Sequence, residues 1–273
     1  MFNLKIEKIN SPEENSVLKT DNLTIGYQQK KEQNTIASNI SIAFEEARFV
    51  VVLGKNGIGK STFLKTISGV QKPLSGSVSI HHKNIEHYTS ADLATALSLV
   101  LTERLPESQL TVFELVALGR QPYTNWIDSL SEKDIEKVNW AIQETEIHHL
   151  QQKKFYELSD GQLQRVLIAR ALAQDTPIII LDEPTAFLDL YGTIKIIKLL
   201  KKLVKKTNKT IIMSSHEVNL SIQLADDIVL FKEKEVLFGS PKKLMENGAF
   251  KDLFPADIIR FNQEIQQFII QTN

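Results

Sequence analysis

Short apolar runs alternate with amphipathic stretches along most of this chain. Four uninterrupted runs, in which hydrophobic side chains follow one another without a polar alternate, predict β-strands at residues 49–53, 178–181, 211–213 and 228–231. Continuous runs of this length are typical of parallel strands that are buried on both faces of a sheet. The pattern therefore predicts a sheet with covering layers on both sides.

The residues between the second and third of these runs show helical periodicity. Apolar residues recur there at helical spacing, while lysines occupy the rest of the surface, which predicts an amphipathic helix with a solvated basic face. Its apolar positions are Ile196, Ile197, Leu200, Leu203 and Val204. Alternating strands and helices predict an α/β fold with a mostly parallel sheet as its core. Residues 91–157 are mainly helical in pattern and predict an inserted helical subdomain, whereas residues 28–34 predict a polar loop.

Composition narrows the possible partners. With 32 basic and 33 acidic residues the net charge is -1, so no overall field favours nucleic acid, and we expect no nucleic-acid partner. The absence of cysteine excludes a disulfide framework and thiolate metal sites. No run approaches the roughly 18 apolar residues of a membrane span, and residues 1–10 lack the apolar stretch of a signal peptide. We expect a protein that stays in the cytoplasm.

A phosphate-binding motif follows the first predicted strand. Residues 54–61 fit the pattern G-x-x-x-x-G-K-[ST] and precede a helical stretch at residues 62–67. Glycines in such a loop let backbone N–H groups converge on phosphate oxygens, the lysine reaches the outer phosphates, and the hydroxyl after it ligates Mg²⁺. The motif predicts binding of ATP with Mg²⁺ through Gly54, Lys55, Asn56, Gly57, Gly59, Lys60, Ser61 and Thr62.

Two carboxylates end the second predicted strand. Asp182 and Glu183 come directly after residues 178–181, at the carboxyl edge where open α/β sheets bind ligands. Beside the phosphate loop, Asp182 is predicted to contact Mg²⁺ either directly or through a ligand of the metal, and Glu183 to act as the general base that polarises the attacking water.

A third motif completes a family resemblance. Leu158-Ser159-Asp160-Gly161-Gln162 begins with a good helix N-cap. Together with the two motifs above, it resembles the signature of the ATP-binding-cassette (ABC) ATPases, from whose Leu-Ser-Gly-Gly-Gln it departs at Asp160. The resemblance implies a P-loop NTPase cassette at residues 18–255 and a tail at residues 256–273. It also implies a homodimer in which Ser159, Gly161 and Gln162 of one subunit face the γ-phosphate held by the other. A carboxylate cannot face the phosphates, so Asp160 is expected in the first helical turn, pointing aside.

Further positions match the family pattern one by one. Tyr27 falls where an aromatic ring stacks on adenine, although a core tyrosine is the alternative. Asp189 matches the loop acid that connects the two sites across the dimer, and His216 matches the histidine that contacts the γ-phosphate. The glutamine that usually contacts Mg²⁺ and couples to the membrane partner is replaced by Thr102 or Glu103. We predict Thr102 at the Mg²⁺ site and Glu103 at the coupling surface.

Residues 111–123 and 187–189 look like the ATPase subunits of bacterial iron-siderophore, haem and cobalamin importers. That resemblance implies ATP hydrolysis coupled to transmembrane transport, with the chain peripheral on the cytoplasmic face of the membrane. The implied partners are transmembrane permease subunits, on which the helical subdomain docks, and an extracytoplasmic substrate-binding protein. The alternative is a soluble cassette ATPase in a scaffold, such as one for iron-sulfur cluster assembly.

Overall fold

Two sheets form the centre of the fold. The structure is a computed structural model that describes residues 16–29, 32–102, 109–124, 129–233, 235–251, 253–254, 258–262 and 264–271. The larger sheet has six strands in the order β10-β9-β3-β8-β7-β6, all parallel except the antiparallel pair of β10 and β9. Its strands are β3 (Phe49–Leu53), β6 (Leu97–Val100), β7 (Ile178–Leu181), β8 (Thr210–Ser214), β9 (Asp227–Phe231) and β10 (Val236–Gly239).

The four strands predicted from apolar runs are confirmed as β3, β7, β8 and β9. The mostly parallel α/β core is confirmed with them. β6 and β10 were not predicted, because neither run is uniformly apolar or alternating.

The smaller sheet is antiparallel and has the order β2-β1-β4-β5. Its strands are β1 (Ser16–Gln29), β2 (Glu32–Glu45), β4 (Ser75–Ile80) and β5 (Lys83–Asn84). The polar loop predicted at residues 28–34 is wrong where the structure describes it, because β1 and β2 pair as far as Gln29 and Glu32. Polar residues are compatible with strands here because the end of this strand pair is exposed, and pairing satisfies its backbone groups.

Helices cover the larger sheet. They are α1 (Lys60–Ile67), α2 (Ser90–Ala96), α3 (Val112–Ala117), α4 (Glu132–Glu144), α5 (Asp160–Ala173), α6 (Leu190–Thr207), α7 (Val218–Leu224) and α8 (Pro241–Glu246). The described residues include 3₁₀ segments at Ile85–His87, Leu118–Tyr123, His148–Leu150 and Phe155–Glu157. None of the helices in the described parts of the chain is both long and apolar enough to span a bilayer.

The region between β6 and β7 is helical. α3, α4 and α5 pack on one another there. The helical subdomain predicted at residues 91–157 begins with most of α2 and all of β6, although β6 is a strand of the larger sheet. The predicted range ends before α5. The boundaries of a separate subdomain, like those of the cassette at 18–255, stay predictions.

Apolar side chains fill both sides of the larger sheet. Successive residues of β3 alternate between two buried clusters, Val51 in one and Val50 in the other, as the period of two in a strand requires. One cluster includes the inner face of α6, and the other includes α1 and the antiparallel sheet. Burial on both faces explains the uninterrupted apolar runs.

The C-terminal part adds a further strand pair. β11 (Ile259–Asn262) and β12 (Gln267–Ile270) are antiparallel, and they belong to the segment predicted only as a tail. Phe261 and Phe268 of this pair pack against the first of the two buried clusters. The end of the described chain is therefore attached to the core.

The buried face of α6 gives the first testable prediction. Leu203 is fully buried there, so Leu203→Ala is expected to lower the free energy of unfolding by about 2 to 5 kcal/mol. Lys198→Ala on the exposed face is the matched control and should change it by less than about 0.5 kcal/mol. Urea unfolding followed by circular dichroism measures both. Equal effects of the two substitutions would contradict the assigned orientation of α6.

Candidate functional site

Four parallel strands end at one edge of the larger sheet and bring the predicted site residues together. β8 lies between β3 and β7, with Val52 beside Ser214 and Leu181 beside Met213. The phosphate loop follows β3, Asp182 follows β7, and Thr102 lies just beyond β6. The order of the strands therefore places residues that are far apart in sequence next to one another.

The loop between β3 and α1 holds Lys60 at the start of α1. Gly59 has a φ of 112°, and a Cβ atom there would lie 2.3 Å from Cγ2 of Ile36, so this position requires glycine. The buried Lys60 ammonium donates hydrogen bonds to the carbonyl oxygens of Gly54 at 3.0 Å and Lys55 at 3.1 Å. An ammonium has three donors. One N–H of Lys60 therefore has no partner among the described residues and is available for a phosphate oxygen.

Burial lowers the pKa of Lys60 from its usual value, and the negative charges of Glu183 and Asp182 oppose that shift. A cation that is removed from water attracts an anion more strongly, because the surroundings screen its charge less than water does, although the two nearby carboxylates oppose that attraction. This environment fits a phosphate group beside the loop.

Tyr27 lies beside the loop and is accessible. Its hydroxyl is 3.0 Å from Oγ1 of the buried Thr62, while the residue as a whole is 47% exposed. The alternative of a core tyrosine is therefore wrong. Elsewhere in the loop Lys55, Asn56 and Gly57 are exposed, and Nζ of Lys55 is 3.4 Å from a carboxylate oxygen of Glu233.

The Asp182 carboxylate is buried and is held from two sides. Its Oδ1 accepts a hydrogen bond from Oγ of Ser61 at 3.1 Å and another from Oγ of Ser214 at 2.7 Å. Oγ1 of Thr102 donates to the main-chain oxygen of Asp182 at 2.9 Å. The hydroxyl and carboxylate oxygens of Ser61 and Asp182 are the kind of ligands that Mg²⁺ prefers.

Few protein ligands are available to a metal at this edge. Within the described ranges, no group of three or more His, Cys, Asp or Glu side chains is placed to hold one. Mg²⁺ commonly uses one or two protein oxygens and completes its shell with substrate phosphates and water. The pair of Ser61 and Asp182 fits that mode of binding.

Glu183 is fixed in an unusual backbone conformation. Its φ is 48°, in the left-handed region, and its N–H donates to Oγ of Ser214 at 2.7 Å. Its Oε1 lies 2.7 Å from Nε2 of His216, within reach of a hydrogen bond or an ion pair. Strained backbone of this kind costs about 1 to 3 kcal/mol and often occurs at functional sites. The predicted base and the predicted histidine are therefore adjacent.

Ser214 is the site residue that sequence reasoning missed. It is fully buried, and its single hydroxyl donates to Asp182 and accepts from the Glu183 N–H. The signal that could have found it is the strand register, because in parallel strands the residue after Met213 lies beside the residue after Leu181. That register requires knowing that β7 and β8 are neighbours.

The predicted signature residues lie on a different surface from the phosphate loop. Ser159 caps α5 in a capping box with Gln162: Oγ of Ser159 accepts from the Gln162 N–H at 3.4 Å, and the Ser159 N–H donates to Oε1 of Gln162 at 3.1 Å. Asp160 is exposed in the first turn, where it was expected. Asp189 caps α6 by accepting from the Gly192 N–H at 2.7 Å.

A surface cavity is shared by these signature residues and Asp189. Ser159, Gly161 and Gln162 line it together with Asp189, and no residue of the phosphate loop is among its described lining residues. Within one chain the predicted site residues thus form two groups. Glu103, predicted at the coupling surface, lies outside the described residues.

Comparisons with known proteins agree with these features. A family model described as ABC transporter matches residues 37–186. The achromobactin transport ATP-binding protein of Dickeya dadantii is 38% identical, with 86% of each chain covered. The iron(3+)-hydroxamate import ATP-binding protein of Bacillus subtilis is 33% identical, with 88% of each covered. A solved dimeric ATP-binding cassette with bound ADP and phosphate matches with a TM-score of 0.70 at 30% identity, covering 82% of this chain and 98% of that one.

The double role of Ser214 gives the second prediction. Ser214→Ala removes one hydrogen-bond partner from the buried Asp182 carboxylate and one from the Glu183 N–H. An unsatisfied buried group of this kind costs about 1 to 3 kcal/mol of free energy. The expected result is a kcat for ATP hydrolysis that falls about 10- to 100-fold, with a higher Mg²⁺ concentration needed for half-maximal rate.

Thr210→Ala is the matched control for this substitution. It removes a buried hydroxyl at the opposite end of β8, which donates to the Glu45 carbonyl oxygen at 3.0 Å. This change should lower stability and leave kcat and the Mg²⁺ dependence unchanged. A Ser214→Ala protein with wild-type kcat and Mg²⁺ dependence would contradict the assigned role.

Proposed function

The chain belongs to the ABC transporter family, whose family model matches more than half of its residues. We propose that it hydrolyses ATP to power the import of a metal chelate, with a ferric siderophore as the first candidate. The observation that supports hydrolysis is the convergence of Lys60, Ser61, Asp182 and Glu183 at one sheet edge. The chelate class rests on the relatives, which are named for achromobactin transport and iron(3+)-hydroxamate import.

In this proposal the loop residues bind the nucleotide. The Lys60 ammonium and the backbone N–H groups of Gly57, Gly59 and Ser61 hold the outer phosphates, and Tyr27 stacks on the adenine. The backbone of Gly54, Lys55 and Asn56 shapes the loop, and the Thr62 hydroxyl remains close to Tyr27.

Ser61, Asp182 and Thr102 are the residues proposed for the metal site. Ser61 and Asp182 would hold Mg²⁺, which would neutralise charge on the phosphates. Thr102 lies beside Asp182, where the usual glutamine of the family contacts the metal.

Glu183 and His216 carry out the proton chemistry. Glu183 accepts a proton from the attacking water, whose oxygen forms a bond to the γ-phosphorus while the bond from that phosphorus to the bridging oxygen breaks. The products are ADP and phosphate. His216 holds the Glu183 carboxylate and contacts the γ-phosphate, so one side chain orients both the base and the phosphate.

Two copies of the chain complete each site. Ser159, Gly161 and Gln162 of one subunit complete the phosphate site of the other, and Asp189 connects the two sites. Support comes from their position on a surface apart from the phosphate loop, and from the dimeric state of the solved relative. The N-terminus of α5 then presents its positive end to the nucleotide of the partner.

The helical segment within residues 91–157 docks on transmembrane permease subunits. Large apolar side chains are exposed there at Leu118, Tyr123, Ile135 and Tyr156, as expected of a protein-binding surface. The chain is then a peripheral subunit at the cytoplasmic face of the membrane. An extracytoplasmic substrate-binding protein delivers the chelate to the permease. No observation favours the alternative of a scaffold ATPase.

Chelate uptake tests this function directly. In a strain that lacks the gene, uptake of ⁵⁵Fe-labelled siderophores should be lost and then restored by the wild-type chain. It should not be restored by Glu183→Gln, because the amide keeps the shape of the side chain and removes the base, lowering kcat about 10²- to 10⁴-fold.

Two controls accompany the uptake assay. Immunoblotting must show equal amounts of both proteins, and Lys198→Ala must restore uptake fully. If the deletion leaves uptake of ferric siderophores, haem and cobalamin unchanged while the purified protein still hydrolyses ATP, the transport assignment is wrong and the scaffold alternative gains support.

A further inference from the structure

The C-terminal strand pair, β11 and β12, is joined to α7 by one side chain. Nδ2 of Asn219 donates to the Phe268 carbonyl oxygen at 3.2 Å, and Oδ1 of Asn219 accepts from the Phe268 N–H at 2.8 Å. Asn219 thus pairs with both main-chain groups of one β12 residue, as a neighbouring strand would. Such a pairing fixes β12 relative to the first turn of α7.

Aromatic packing also holds the strand pair in place. The rings of Phe261 and Phe268 are 5.1 Å apart and contact Phe250 and Phe254, with centroid distances between 5.1 and 6.2 Å. Phe250 is fully buried and belongs to the core cluster. The strand pair is therefore anchored to the core independently of Asn219.

The first turn of α7 is directly connected to His216. Asn219 is three residues beyond His216, and the Val218 N–H donates to the His216 carbonyl oxygen at 3.0 Å. The buried Ser221 hydroxyl donates to the Glu217 carbonyl oxygen at 2.7 Å. These bonds make residues 216–221 one compact unit, so a displacement of the first turn also moves the histidine.

Glu183 and His216 are both held at the end of β8, and α7 gives His216 a second attachment. The Glu183 backbone is held by Ser214. The His216 side chain is partly exposed, and its partner among the described residues is Glu183, at 2.7 Å. The position of the imidazole thus depends on where its own backbone is held, which is at Ser215, whose N–H donates to the Val52 carbonyl oxygen at 3.1 Å, and at the start of α7.

We propose that the C-terminal strand pair is a positioning element for the catalytic pair of Glu183 and His216, and that Asn219 is the positioning residue through which it acts. This inference rests on the proposed function, because it assigns His216 a role in ATP hydrolysis. Through Asn219, β12 fixes the first turn of α7, and that turn fixes His216 against Glu183. The segment predicted only as a tail is then part of the hydrolytic machinery.

Steady-state hydrolysis by Asn219→Ala tests the proposal in the full-length chain. The expected result is a kcat that falls about tenfold or more, while KM for ATP and the affinity for a fluorescent ATP analogue change less than about twofold, since the phosphate loop is untouched. Gln223→Ala, an exposed position on the same helix, is the matched control and should behave as wild type. If Asn219→Ala does not give soluble protein, Asn219→Ser keeps a small polar residue without the double pairing and is measured instead.

A double-mutant cycle separates positioning from general destabilisation. In a His216→Ala background, Asn219→Ala should cause no further loss of kcat, because the residue through which it acts is already gone. If the two substitutions lower kcat additively, or if Asn219→Ala keeps the wild-type kcat, the inference is overturned. The proposed function is tested separately, since Glu183→Gln must abolish turnover in either case.

Discussion

The buried Asp182 carboxylate requires hydrogen-bond donors, and the rest of the site is arranged around that requirement. A carboxylate removed from water is costly unless it is paired or hydrogen-bonded. Here Ser61 at the start of α1 and Ser214 at the end of β8 both donate to the same oxygen. Lys60 places a positive charge nearby. The Asp182 side chain therefore connects the phosphate loop to the ends of β7 and β8. The same contacts keep oxygens and a cation close to the place proposed for phosphates and Mg²⁺.

Features encoded in local sequence order could be predicted, and those that depend on strand neighbours could not. The phosphate loop and the pair of Asp182 and Glu183 are each defined by a strand and the residues directly after it. The role of Ser214 depends on β8 lying between β3 and β7, which no local pattern reveals. β6 was not predicted because its sequence, Leu-Ser-Leu-Val, is neither uniformly apolar nor alternating.

The two groups of site residues explain why one chain is an incomplete enzyme in this account. Ser159 and Gln162 satisfy each other in a capping box, which stabilises the N-terminus of α5 without any ligand. The sequence predicted Ser159 as the N-cap, and the family resemblance implied that the signature faces the phosphate loop of the other subunit. Asp189 similarly caps α6. Residues with a local structural role thus also form the surface that is proposed to meet the nucleotide of a second subunit.

Hydrolysis at a composite site is the central claim, and mixed dimers test it most directly. Subunits carrying Ser159→Arg and subunits carrying Lys60→Ala, each with its own affinity tag, are combined and the heterodimers are isolated through both tags. Each homodimer should be inactive, because both of its sites lack one half. The heterodimer contains one site with an intact phosphate loop and an intact partner signature, so it should hydrolyse ATP. Isolated heterodimers that bind ATP and show no hydrolysis would contradict the claim.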